Sequence, residues 1–123
     1  MGARILIIED NSANMELMSY LLTAFGHTPL TALDGASGVR MAAAEMPDLI
    51  LCDVHLPKLD GVGVAATLKG DARLRHIPLL AVTALAMAGD RERLLTCGFD
   101  GYIAKPIEPE QFVAQLETFL PPL

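Results

Sequence analysis

Short aliphatic runs recur along the chain, separated by longer stretches in which apolar residues return every three or four positions. Runs without polar alternation suit strands covered on both faces, and the three-to-four spacing suits the helices that cover them. The first run, Arg4 to Ile8, ends at Glu9-Asp10. Asn11 or Ser12 then caps a helix with Asn14, Leu17, Met18, Leu21, Leu22 and Phe25 on one stripe, and Gly26 stops it. A second strand near Thr28 to Ala32 leads to Asp34, the N-cap of a small-residue helix from about Ala36 to Glu45 that Met46-Pro47 ends. The third run, Leu49 to Cys52, is wholly apolar until Asp53. Beyond Leu56-Pro57-Lys58-Leu59, Asp60 caps a helix running to about Gly70. Strand four is Leu79 to Val82, closed by Thr83. A helix from roughly Met87 to Cys97 stops at Gly98, strand five is Gly101 to Ala104, and the last helix runs from Glu108 to about Leu120. That helix carries Phe112, Val113, Leu116, Phe119 and Leu120 on one side, and Pro121-Pro122 ends it.

Five βα units in unbroken alternation predict an α/β domain with a doubly wound parallel sheet and helices on both faces. The 123 residues suffice for one domain, 1–123, with a core of its own. A hydrophobic content of 52% with 20% charged residues suits a compact globule rather than a disordered chain. The net charge of -6 and the scattered basic residues argue against nucleic acid or an anionic membrane surface as partner. No apolar run approaches the roughly 20 residues of a spanning helix, and Met1-Gly2-Ala3-Arg4 leads straight into the first strand, so a cytoplasmic protein is expected. Cys52 and Cys97 lack metal or redox spacing and read as buried thiols.

Open parallel sheets bind ligands beyond the carboxyl ends of their strands. Here those ends carry Glu9 and Asp10, Asp53, Thr83 and Lys105. Taken singly, Asp53 reads as a cap or turn residue, Glu9-Asp10 as a solvated loop, Thr83 as an N-cap and Lys105 as an exposed lysine. Taken together they form one polar rim. Three crowded carboxylates repel one another unless a cation joins them, and oxygen donors suit Mg²⁺. With that ion, Lys105 and Thr83 to spread the charge, Asp53 is placed to attack a phosphoryl group.

The stretches Ile7-Ile8-Glu9-Asp10-Asn11, Leu49 through Asp53 to Gly61, Ala81-Val82-Thr83-Ala84 and Tyr102-Ile103-Ala104-Lys105-Pro106 resemble, in order, the motifs of response-regulator receiver domains, and the resemblance covers the whole chain. It implies a flavodoxin-like sheet of order 2-1-3-4-5 and a two-component response regulator. Asp53 would accept a phosphoryl group from a sensor histidine kinase or a histidine phosphotransfer protein. Asp10, Asp53 and the backbone carbonyl of His55 would ligate Mg²⁺ (or Mn²⁺), Glu9 would assist through water, and Lys105 would contact the phosphoryl oxygens. Thr83 and Tyr102 would form the switch that signals to a downstream protein, and Lys105-Pro106 would be cis. Such a domain catalyses only its own phosphorylation and dephosphorylation, so it is not an enzyme acting on other substrates. His55 stands where the family more often has methionine. Asn11 to Asn14 and Ala86 to Asp90 look like receivers of hybrid kinases and of small stand-alone regulators alike.

Bland readings compete at the remaining positions. Tyr102 also suits a plain aromatic on a short edge strand. His27, His55 and His76 read as solvated loop histidines without catalytic roles. Met15, Met18, Leu22 and Met87 fit either core filling or an adaptable surface. With Leu17, Leu21, Ala24 and Phe25 as the buried stripe, Met15, Ser19 and Leu22 are expected at the boundary, free to dock the phosphoryl donor. A chain ending soon after its last helix leaves no room for an output module, and its opening methionine favours a stand-alone regulator over a relay module of a hybrid kinase. A flavodoxin-like FMN binder is disfavoured because Glu9-Asp10 would repel the flavin phosphate. An aspartyl-phosphate hydrolase would need a second acid where His55 stands.

Overall fold

The computed structural model describes residues 2–56, 58–84 and 89–120. Five parallel strands, β1 (Arg4–Ile8), β2 (Thr28–Ala32), β3 (Leu49–Asp53), β4 (Leu79–Thr83) and β5 (Gly101–Ala104), form one sheet in the order 2-1-3-4-5. Between and after them come α1 (Ser12–Ala24), α2 (Gly35–Glu45), α3 (Gly61–Gly70), α4 (Asp90–Thr96) and α5 (Pro109–Glu117). Their N-termini follow the local chemistry. Asn11, Asp34 and Asp60 are N-caps whose side chains accept from the backbone N–H three residues on, and Pro109 opens α5 where its missing N–H costs nothing. Gly26 and Gly98, at φ +87 and +114, supply the left-handed turns after α1 and α4.

The sheet separates two cores, as its alternating side chains require. Leu6, Ile8, Ile50, Cys52, Leu79 and Ala81 face α2, α3 and α4. Ile5, Ile7, Leu49, Leu51, Leu80 and Val82 face α1 and α5, meeting Met18, Leu22, Phe112 and Leu116. The central strands β3 and β4 are buried along their whole length, which accounts for the apolar runs that precede Asp53 and Thr83.

Several expectations change. Asp53 and Thr83 are the last residues of their strands rather than the first beyond them, so the sheet itself holds both. The expected start of the fourth helix at Met87 lies outside the described residues, as do Pro57 and Pro121-Pro122; the described part of that helix begins at Asp90. The last helix closes at Glu117, with Phe119 part-exposed and its ring over Gly101.

The expected boundary position of Met15 and Leu22 is corrected. Met15 and Leu22 are buried in the core beneath α5, Ser19 is half-buried, and Ala24 and Phe25 are exposed instead. Apolar residues cover more than one face of this helix, so packing against Phe112, Val113 and Leu116 decides its rotation. His27 is buried rather than solvated: Nδ1 accepts from the Ala3 N–H at 3.0 Å and Nε2 lies 2.8 Å from Glu117 Oε2. Cys97 is half-buried, while Cys52 is fully enclosed as expected.

Candidate functional site

Strands β1 and β3 are paired with Ile8 opposite Cys52, so the residues that follow each emerge side by side at the carboxyl edge of the sheet. Glu9 stays within the sheet's reach because its N–H donates to the Ala32 carbonyl at 3.0 Å, and its side chain is wholly buried. Asp10, one residue on, is exposed. Asp53 is 6% exposed, and the N–H of His55 donates to its Oδ1 at 3.0 Å. One oxygen from each of Glu9, Asp10 and Asp53 falls within 4.8 Å of the others.

Lys105 closes the group from β5. Its backbone N–H donates to the Thr83 carbonyl at 2.8 Å, which ties the residue to the end of β4. Its ammonium lies 3.2 Å from Asp53 Oδ2 and 3.0 Å from Glu9 Oε1. The Lys105-Pro106 bond is cis. Thr83 is buried, and its register neighbour on β5 is Ala104. Tyr102 is 41% exposed, as a plain surface aromatic would be.

Electrostatics follow from this crowding. Burial, then the neighbouring Asp53 carboxyl, hold the Glu9 carboxyl above its ordinary range even though Lys105 and the Asn11 amide pull it down. Burial alone would lower Lys105, but the neighbouring Glu9 and Asp53 carboxylates outweigh that and raise it. Burial also lifts the Cys52 thiol far above its usual range, so it is no nucleophile beside Asp53.

The donor set passes a chemical test for a divalent cation. All three acids offer hard oxygens, and the buried Glu9 Oε1 has Lys105 as an ionic neighbour but no directed hydrogen bond. One contact had no signal in the sequence: the Asn11 N–H donates to Glu9 Oε2 at 3.2 Å. A cleft of about 540 Å³ lies away from this cluster, between the turns entering β3 and β4 and the end of α5; none of the three acids lines it.

Residues 5–117 match the family model for the response regulator receiver domain. The chain is 41% identical over 120 residues to the polar-differentiation response regulator DivK of Brucella anthropi, covering 98% of both chains. The receiver domain of sensor histidine kinase PA1611 of Pseudomonas aeruginosa, with magnesium coordinated in its active site cleft, superposes with a TM-score of 0.87. It is 34% identical, over 96% of this chain and 97% of that one. The Vibrio cholerae chemotaxis protein CheY4, at 23% identity, shares the fold with a TM-score of 0.91 over 98% of this chain and 100% of that one. Among the described residues no helix is long and apolar enough to cross a membrane. The five-stranded architecture and the matched sequence together place this chain in the response regulator receiver family of two-component signalling.

Proposed function

We propose that Asp53 is the phosphoacceptor and that its donor is a phosphohistidine on a sensor histidine kinase or a histidine phosphotransfer protein. The observation that carries this reading is the ammonium of Lys105 bridging Asp53 and Glu9, with Asp10 beside them. The donor set fits Mg²⁺, or Mn²⁺, held by Asp10, Asp53 and the His55 carbonyl with Glu9 assisting through water; the ion would supply positive charge for the phosphoryl oxygens.

The chain's own groups do the rest. The His55 N–H and Lys105 ammonium fix the two oxygens of Asp53, so the nucleophile is oriented before a donor arrives. A carboxylate oxygen of Asp53 forms the new O–P bond as the P–N bond to the donor imidazole breaks, and the imidazole leaves with the electron pair and takes a proton from water. Lys105 faces the negative oxygens of the moving group. Thr83, buried one step beyond Asp53's register neighbour Val82, then turns its hydroxyl to the new phosphate, and Tyr102 moves in from its exposed position. A downstream protein reads the altered β4–β5 edge. The domain works in the cytoplasm and turns over no substrate besides its own aspartyl phosphate.

Intact-mass measurement after incubation with acetyl phosphate and Mg²⁺ tests the assignment. The chain should gain one phosphoryl group and Asp53→Asn should gain none; stoichiometric, persistent labelling of that variant would move the acceptor elsewhere.

A further inference from the structure

Glu9 is a buried carboxylate on a side chain with several rotatable bonds, yet both of its oxygens have assigned neighbours. Oε1 lies 3.0 Å from the Lys105 ammonium, and Oε2 accepts the Asn11 N–H at 3.2 Å. That amide is itself held in place. The Asn11 Oδ1 accepts the Asn14 N–H at 2.9 Å, its carbonyl accepts the Met15 N–H at 3.0 Å, and its backbone is extended at φ −88 and ψ 118. Asn11 therefore caps α1 and at the same time presents an N–H to the acid two residues before it.

We propose that Asn11 is a positioning residue: its side-chain cap locks the backbone so that its amide fixes the Glu9 carboxylate beside Asp53 and Lys105. This rests on reading the Asp53 site as a cation-assisted phosphoacceptor. Without the cap, the residue-11 amide is free to rotate away, and Glu9 Oε2 loses its directed donor in a buried setting. The carboxylate is then held by Lys105 alone and swings toward it. The cluster offers a bound cation a displaced, partly neutralised acid. Any small residue at position 11 could continue the chain, but only one that accepts from Asn14 maintains the amide's aim.

The test uses the full chain in four forms: wild type, Asn11→Ala, Asn11→Ser and Asp34→Ala. Magnesium affinity is read by calorimetric titration, and exchange of the residue-11 amide proton is read by NMR without metal. Asn11→Ala should bind Mg²⁺ about tenfold more weakly and exchange its residue-11 amide faster. Asn11→Ser restores a cap and should stay within about twofold of wild type on both readouts. Asp34→Ala removes the corresponding cap on α2, where Asp34 Oδ1 accepts from Ser37, and should lose stability without losing magnesium affinity. Should Asn11→Ala fail to fold, Asn11→Gly takes its place, since glycine is the milder loss at a cap. Wild-type affinity and exchange in Asn11→Ala, equal losses in the serine variant, or an equal loss in Asp34→Ala each overturn the proposal. If wild type itself binds no Mg²⁺, the phosphoacceptor reading fails, and the amide exchange still decides whether Asn11 holds Glu9.

Discussion

Lys105 Nζ stands 3.2 Å from Asp53 Oδ2, although 52 positions separate the two residues in the chain. The same ammonium reaches Glu9, so one cation neutralises two acids that would otherwise repel each other. Lys105→Ala leaves both uncompensated in a poorly hydrated setting and should cost about 2 kcal/mol of stability at neutral pH. Labelling by acetyl phosphate should slow about a hundredfold, since a preorganised charge facing the transferred group is gone. Denaturant titration and timed mass spectra check the two effects. The native lysine is raised, so its contribution is complete below the ordinary 10.5 and fades as pH climbs through the raised value.

Glu9 produces the opposite cost in the metal-free protein. Its carboxyl titrates above the ordinary 4.5 because of burial and the nearby Asp53, so the folded state retains a proton that the unfolded chain has already released. The stabilisation from that proton is full below 4.5 and disappears as pH rises through the raised value. Glu9→Gln should therefore flatten the fall in stability as pH rises above 4.5, and in chelator be more stable than wild type once the pH has passed the raised value. Urea melts followed by circular dichroism measure this; an unchanged slope would reject the assignment to Glu9.

Thr83→Ala should still accept a phosphoryl group, because the hydroxyl acts after the new bond has formed. The variant should lose most of the phosphorylation-dependent shifts in backbone NMR signals from β5, where Tyr102 starts 41% exposed. Shifts of wild-type size would remove Thr83 from the switch.

Met15 belongs to the core beneath α5 and not to a free docking edge. Met15→Lys should thus impair transfer from a kinase and from acetyl phosphate together, by unfolding a fraction of the protein. Met15→Ala should cost about 2 kcal/mol, the low end for a buried methionine at the core's margin. A stable Met15→Lys protein that fails only with the kinase would restore a docking role.

Much of the fold was legible because its signals are local. The wholly apolar run before Asp53 marks a strand buried on both faces, and Asn11, Asp34 and Asp60 mark helix starts by chemistry confined to one turn. The meeting of Glu9, Asp10, Asp53 and Lys105 was legible for a related reason: parallel strands bring their carboxyl ends to one edge.

What the chain could not disclose depends on partners distant in sequence. Met15, Leu17, Met18, Leu21, Leu22 and Phe25 spread over too wide an arc for periodicity to choose one rotation of α1; contact with Phe112 and Leu116 chose it, burying Met15 and leaving Phe25 outside. His27 looked like a turn residue until Ala3 and Glu117, the latter 90 positions away, occupied both ring nitrogens. The Asn11 amide looked like one more helix-start N–H until the sheet set Glu9 beneath it. Sequence by itself determined which elements form and which strand ends meet. Only tertiary packing decided which face each helix buries and which polar atoms pair, because those choices minimise buried surface and unpaired groups over the whole molecule at once.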